Sequence, residues 1–207
     1  LAAEGIGGSV VQLVGNTMID SLFRILDGID RVAVLAGREL ERRRFVLVTL
    51  HRPALVDHPE RLGLVIEVLG EIATEMPVIF PCHPRTTARL AGVGIEPPPG
   101  VKIVEPMDYD EFIALEADAR LVITDSGGLQ EETTVLGVPC LTYRTATERP
   151  ITVELGTNEL VGVDPGALRD AASRVLGADP PAEPPEIPLW DGKAGPRAAE
   201  AIKAFLG

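Results

Sequence analysis

The feature that most restricts this chain is a series of short runs rich in Val, Ile and Leu, separated by longer segments of helical period. The runs are Val10–Val14, Phe45–Leu50, Pro77–Pro81, Val101–Val104, Leu121–Thr124, Val138–Thr142 and Glu159–Gly162. Most are apolar at consecutive positions, so both faces of each strand need cover. A parallel sheet with helices on both sides supplies it, whereas a sheet with one wet face would show alternation. The segments between fit helices at Pro59–Glu75, Arg85–Ala91, Asp108–Ala117, Gly128–Leu136, Pro150–Leu155 and Pro165–Leu176. In the first of these, Leu62, Val65, Ile66, Leu69 and Ile72 form the stripe of a helix with one buried face. Strand and helix in alternation predict an α/β, doubly wound, mostly parallel sheet. At 207 residues and 45% hydrophobic content the chain can fill such a core.

The expected organisation is a Rossmann-like body over residues 1–178, followed by a strap and a terminal helix over 179–207. Five prolines between Asp179 and Pro188 exclude helix there and favour extended chain. Beyond them Ala194–Leu206 has helical character and would dock on another surface. Glu96–Gly100 reads as a turn before the strand at Val101. The chain opens on Leu1 rather than Met, so we expect further polypeptide upstream. A net charge of −12 with 4% aromatic residues argues against a nucleic-acid partner. It leaves phosphate open, because a helix N-terminus binds phosphate through backbone N–H groups even in an acidic protein. Cys82 and Cys140 sit in apolar runs with no metal-ligand or redox spacing, and read as buried thiols of a cytoplasmic protein. No run is long enough to span a membrane and no secretion signal is visible, so no membrane partner is expected.

Open α/β sheets place ligands just past the carboxyl ends of their strands. Four such ends carry polar residues. After Leu121–Thr124 comes Asp125-Ser126-Gly127-Gly128-Leu129-Gln130-Glu131-Glu132, which opens a helix. Ser126, Gly127 and Gly128 would let free N–H donors approach a diphosphate, with Glu132 a turn or two further on to accept from ribose hydroxyls. An ordinary Gly-containing helix cap would look the same, and only the strand-to-helix context favours the ligand. His51-Arg52 follows Phe45–Leu50, where a His can move protons near neutral pH and an Arg can fork onto an anion. Cys82-His83-Pro84-Arg85 follows another strand, and fits function and simple capping equally well. Arg144–Pro150 follows Val138–Thr142 and brings Arg149 to a helix start, although a solvated loop would have the same composition.

Taken in order, the segments Val14–Asp20, Thr49-Leu50-His51-Arg52, His83-Pro84, Thr124–Glu132 (TDSGGLQEE), Thr147-Glu148-Arg149-Pro150 and Glu154–Asn158 form a series. That series resembles the second half of the non-hydrolysing UDP-N-acetylglucosamine 2-epimerases, and extends from Val14 to Asp191-Gly192-Lys193-Ala194. The resemblance implies the nucleotide-binding lobe of a two-lobed GT-B fold. It implies that Ser126, Gly127 and Gly128 hold the diphosphate and Glu132 the ribose. The backbone of Phe112, with Met107 nearby, would meet the uracil, although relatives often have a polar residue in place of Met107. Arg149 would approach the phosphates and His51 would assist the chemistry at the sugar. Arg52 and His83 match positions that contact a second, activating UDP-sugar. The chain departs from the family after His51-Arg52, where Pro53–Asp57 replaces a run resembling Arg-Glu-Asn.

The implied reaction is inversion at C2, interconverting UDP-N-acetylglucosamine and UDP-N-acetylmannosamine by elimination and re-addition of UDP. The family takes its candidate bases from the first lobe, so this chain alone is expected to bind UDP weakly and turn over poorly or not at all. Its expected partners are UDP, UDP-N-acetylglucosamine, a missing N-terminal lobe and a second copy of the chain as a homodimer. No cofactor or metal is implied, since no ligand cluster or dinucleotide fingerprint is present. Two alternatives remain: a UDP-sugar glycosyltransferase lobe of the same fold, and a non-catalytic nucleotide-binding module.

Overall fold

The computed structural model describes residues 4, 5, 7, 8 and 11–207. Two helices come first, α1 (Thr17–Leu26) and α2 (Arg31–Gly37). A strand, β1 (Val46–Thr49), then leads through α3 (Pro53–Val56) and α4 (Pro59–Ala73) to β2 (Val78–Pro81). Next are α5 (Pro84–Gly92), β3 (Val101–Val104), α6 (Tyr109–Asp118), β4 (Leu121–Thr124) and α7 (Gly127–Leu136). The chain continues with β5 (Cys140–Thr142), α8 (Pro150–Glu154), β6 (Asn158–Leu160), α9 (Pro165–Gly177) and α10 (Ala194–Leu206).

All six strands are parallel, in the order β3-β2-β1-β4-β5-β6. Period-2 alternation sends Val46 and Val48 of β1, and Leu121 and Ile123 of β4, into one core beneath α4 and α9. Leu47 and Val122 face the other way, into a second core with Leu35 of α2 and Leu115 of α6. Both faces are covered, as the uninterrupted apolar runs require. The edge strands are the exceptions: β3 and β6 are only partly buried, and their sequences include Lys102 and Glu159. In α4 the stripe Leu62, Val65, Ile66, Leu69 and Ile72 is at most 4% exposed. Each such side chain contributes about 1.5–3 kcal/mol relative to exposure.

Strands β3 and β4 match their apolar runs, whereas β1, β2 and β5 are shorter than theirs. Val138 and Pro139 fall outside β5 because the Val138 N–H is spent on the Thr133 carbonyl at the end of α7, and Pro139 has no N–H. The last strand shifts to Asn158–Leu160. The strand expected at Val10–Val14 does not form over residues 11–14; Val10 itself lies outside the described residues. Instead Gly15 turns the chain at φ +109, so close to the Leu189 carbonyl that a Cβ would lie 2.3 Å from it. That contact explains the glycine, which no strand needs.

Helices α1, α2 and α3 are additions to the expected set. Asn16 caps α1 by accepting from the Met18 N–H at 3.0 Å. Asp30 does the same for α2 through Ala33. The strap over 179–193 is pinned to the body by its apolar residues. Ile187 is 7% exposed, Pro184 packs on Gly137 at the left-handed end of α7, and Trp190 joins a small core with Ile19 and Leu22 of α1. Asp20 of α1 then accepts from the N–H groups of Ala194 (3.1 Å) and Gly195 (2.7 Å), anchoring the start of α10. The outer end of α10 leaves Ile202, Phe205 and Leu206 at least 60% exposed. Among the described residues no helix is long and apolar enough to cross a membrane.

Candidate functional site

Sheet order reverses between β1 and β4: the chain winds outward to β2 and β3 on one side, and to β5 and β6 on the other. A crevice opens at such a switch point, because connections leave in opposite directions from neighbouring strands. Here β1 delivers His51 and Arg52 to the crevice, and β4 delivers Asp125 and Ser126.

Asp125 organises this edge. Its carboxylate is 2% exposed and accepts the N–H of His51 (3.1 Å) and of Arg52 (2.9 Å), while the His51 Nδ1 lies 2.8 Å from Oδ1. In return the Arg52 Nε donates to the Asp125 carbonyl at 2.9 Å. The hydrogen bond to Asp125 raises the His51 pKa above its ordinary value, partly opposed by burial. With Nδ1 committed, Nε2 is the nitrogen left to a ligand, on a side chain 61% exposed.

Ser126 caps α7 geometrically, but its hydroxyl makes no capping bond. Its own N–H is satisfied by Thr124 Oγ1 at 2.9 Å. The following first-turn N–H groups therefore point out of the helix with no side-chain acceptor, as an anion site requires. The fold does not need glycine at 127. Its φ is not positive, and the nearest atom to an added Cβ is Glu148 Oε2 at 3.9 Å. Gly128 is closer packed, with Met18 Cε 3.3 Å from such a Cβ. At Gly127 the missing side chain clears space over the helix terminus rather than relieving strain.

The loop after β5 is fixed to the same terminus by a buried polar network. Gln130 Nε2 donates to the Ser126 carbonyl at 3.0 Å. Its Oε1 accepts from Thr147 Oγ1 (2.5 Å) and Asn158 Nδ2 (3.0 Å). Asn158 also donates to Thr152 Oγ1 at 3.1 Å and accepts from Thr142 Oγ1 at 2.6 Å. Residues of α7, β5, α8 and β6 thus share one set of bonds, which places Arg149 beside α7. The Arg149 Nε lies 2.9 Å from Glu131 Oε1, an ion pair without hydrogen-bond alignment. Glu131 also accepts from Asn16 Nδ2 at 3.0 Å, tying in α1. Arg144 grips Glu148 in a bidentate pair at 2.8 and 2.7 Å, which holds the Glu148 carboxyl down at about 2.

Glu132 is 3% exposed on α7, and accepts from the Tyr109 hydroxyl at 2.5 Å. Burial raises its pKa, the bond from Tyr109 lowers it, and Glu131 raises it again. Beneath lies Glu116, fully buried, with no partner for either carboxylate oxygen among the described residues; burial and the charge of Glu132 push it well above the usual carboxylate range. Phe112 and Met107 are half-buried against the second core. The Phe112 N–H is committed to the Asp108 carbonyl at 2.9 Å. His83 lies at the end of β2, on the far side of β1, and caps α5 by accepting from the Arg85 N–H at 3.2 Å. A cavity of about 570 Å³ beside this edge is lined by Arg52, Arg61, Asp125, Tyr143 and Arg144, among others. Among the described residues no cluster of His, Cys, Asp or Glu could hold a metal ion, and Cys82 and Cys140 are buried free thiols.

His51, Arg52, Ser126, Gly127, Gly128 and Arg149 therefore lie at neighbouring strand ends and helix starts, Glu132 lies further along α7 beside Tyr109, and His83 stands apart. Sequence reasoning passed over Asp125, Gln130, Tyr109 and Asn16 as site residues. Asp125 had a signal, its position directly after a central strand, whereas the partnerships of Asn16 and Tyr109 cross long stretches of chain.

A family model described as UDP-N-acetylglucosamine 2-epimerase matches residues 1–203. A UDP-N-acetylglucosamine 2-epimerase of Methanocaldococcus jannaschii is 37% identical over 211 residues, covering 98% of this chain and 57% of its own length. One from Methanococcus maripaludis is 37% identical over 182 residues, covering 84% of this chain and 50% of the relative. The crystal structure of the M. jannaschii enzyme in complex with UDP-GlcNAc and UDP superposes with a TM-score of 0.82 at 36% identity, over 98% of this chain and 57% of that one. This chain thus spans about half the length of the curated relatives it matches. Its sheet is one Rossmann-like lobe of the GT-B type. On these matches the chain belongs to the UDP-N-acetylglucosamine 2-epimerase family.

Proposed function

We propose that this chain is the nucleotide-binding lobe of an enzyme that interconverts UDP-N-acetylglucosamine and UDP-N-acetylmannosamine. The observation that carries the reading is the start of α7, with no side-chain cap bond and with Gly127 leaving its N–H donors clear, across the switch point from His51 and next to its partner Asp125. In this reading the diphosphate sits on the N–H groups of Gly127 and Gly128 and on the Ser126 hydroxyl. Arg149 adds positive charge from the loop after β5, Glu132 receives the ribose hydroxyls, and the turn at Met107 and Phe112 borders the uracil. His51 presents Nε2 to the sugar. Arg52, with His83 at the neighbouring end of β2, would face a second UDP-sugar beside that crevice.

The reaction removes the C2 proton and breaks the bond between C1 and the diphosphate oxygen, leaving a glycal and UDP. Re-addition of UDP to C1 with protonation of C2 from the opposite face gives the epimer. Charge develops on the departing diphosphate, and preorganised N–H donors stabilise it where it forms. A positioned base must take the C2 proton. We assign that base to the half of the enzyme beyond this chain, against which the exposed outer face of α10 would pack. The 207 residues alone would then bind UDP weakly and turn over slowly or not at all. No cofactor enters the scheme.

Proton NMR in D2O with UDP-N-acetylglucosamine tests this. The expected result is no deuterium at C2 with the chain alone, alongside calorimetric UDP binding that Ser126→Ala or Glu132→Ala removes. Deuteration with inversion by the isolated chain would show that this lobe carries its own base. Absence of UDP binding would sink the nucleotide assignment.

A further inference from the structure

Glu132 is a carboxylate of the nucleotide crevice whose surroundings oppose its charge. It is 3% exposed, so burial raises its pKa first and Glu131, the preceding residue of α7, raises it further; the fully buried Glu116 of α6 lies behind it. Glu131 is itself partly neutralised by Arg149, and among the described residues Glu116 has no partner for either oxygen. A carboxylate placed this way tends to take up a proton and to turn away from its task. The compensating contact is the Tyr109 hydroxyl, 2.5 Å from Oε1. Tyr109 is the first residue of α6, half exposed, and its ring has no assigned part in the core clusters. Among the described residues no donor reaches Oε2, so the bond from Tyr109 fixes the carboxylate and leaves its second oxygen for a ligand.

We propose that Tyr109 is a positioning residue for nucleotide binding, holding Glu132 by one oxygen so that the other meets the ribose diol. The proposal rests on the assignment of Glu132 to the ribose. Tyr109 acts in two ways. It removes the rotamer freedom of Glu132 before ligand arrives, and it supplies a charge-assisted hydrogen bond that keeps the carboxylate ionised against burial and the neighbouring charge of Glu131. The Tyr109 phenol in turn stays protonated, since burial and the charges of Glu132, Glu116 and Asp110 all raise its pKa.

The test compares UDP with 2′,3′-dideoxy-UDP by calorimetry on the full chain, its Tyr109→Phe variant and its Glu132→Gln variant, from pH 5 to 8. Tyr109→Phe removes one oxygen from a half-exposed ring, and circular dichroism checks that each variant is folded. The unmodified chain should prefer UDP, and Glu132→Gln should erase that preference. Tyr109→Phe should weaken UDP roughly tenfold, the scale of one hydrogen bond to a charged group, and leave the dideoxy analogue unchanged. As pH falls, UDP affinity should be lost at higher pH in Tyr109→Phe than in the unmodified chain, because the carboxylate has lost the contact that lowers its pKa. If the chain prefers UDP and Glu132→Gln erases the preference, yet Tyr109→Phe keeps both affinity and pH profile, the role of Tyr109 is wrong. If the unmodified chain binds both nucleotides equally, or binds neither, the ribose assignment falls and takes this proposal with it.

Discussion

The imidazole of His51 and the carboxylate of Asp125 meet at 2.8 Å across the junction of β1 and β4, joining two strand ends 74 residues apart in sequence. Asp125 accepts from the backbone of both His51 and Arg52 as well, so one side chain sets the conformation of the β1 exit and the orientation of its histidine. In Asp125→Asn the His51 pKa, followed by the imidazole resonances in an NMR titration, should fall back toward its ordinary value near 6.5. Because the folded pKa is raised, the stabilising contribution of the pair is complete below the unfolded pKa and is lost as pH rises through the folded one. Thermal stability of the unmodified chain should therefore decline over that window more than that of Asp125→Asn. An unchanged His51 titration in the variant would mean that the pair has no influence on the ring.

Glu116 makes the opposite kind of statement about pH. It is fully buried with neither oxygen partnered, and its pKa lies well above the usual carboxylate value. An acid whose folded pKa is raised binds more protons in the native state, so stability falls as pH rises above the unfolded value. Replacing it with Met, of similar length and without the polar oxygens, should stabilise the fold at pH 8 by about 1–3 kcal/mol, the cost of leaving such a group buried and unsatisfied. The gain should shrink toward pH 5, as measured by urea unfolding at each pH. A variant less stable than the parent at pH 8 would show that Glu116 has a partner in solution.

Much of the fold was written in the apolar runs. Continuous Val, Ile and Leu in β1, β2 and β4 required cover on both faces, and the stripe from Leu62 to Ile72 identified α4. What escaped was decided at a distance. Val11–Val14 looks like a strand by composition, but β3 and β6 are the sheet edges and neither takes it; instead Gly15 is pressed against Leu189 of the strap. Helix α1 went unseen although Asn16 and Asp20 mark it, because Asp20 serves Ala194 and Gly195 across 174 and 175 positions. The site followed the same division. Ser126-Gly127-Gly128 was legible as a local strand-to-helix turn, while the Asp125–His51, Tyr109–Glu132 and Asn16–Glu131 pairs needed the sheet to bring them together.

Gly127 separates stability from binding. It occupies the first turn of α7 without positive φ, and an added methyl would meet only Glu148 Oε2 at 3.9 Å. Gly127→Ala should leave the melting temperature unchanged or raise it, since alanine stabilises helix relative to glycine by about 0.5–1 kcal/mol. In the proposed reading UDP affinity should fall at least about tenfold, because the methyl would project over the N–H donors assigned to the diphosphate. Calorimetry and thermal melts on the same preparation decide the matter. Unaltered UDP affinity in a folded Gly127→Ala variant would move the diphosphate off this helix terminus.

Gln130 is the hub that ties the loop carrying Arg149 to the start of α7, through bonds to Ser126, Thr147 and Asn158, and it is fully buried. Truncating it to Ala leaves Thr147 and Asn158 without their acceptor and opens a cavity, so a loss of about 2–4 kcal/mol is expected. Gln130→Met fills the space but restores no acceptor, and should recover only part of that loss. The two variants also separate packing from placement. If the network matters only for packing, Gln130→Met should bind UDP like the parent. If it positions the loop, Arg149 is no longer held beside α7, and both variants should bind UDP more weakly, with the deficit growing at low ionic strength, where the charge of Arg149 counts most. We expect the second pattern, because the bonds of Gln130 run from the helix terminus at Ser126 to Thr147 of the loop and Asn158 of β6.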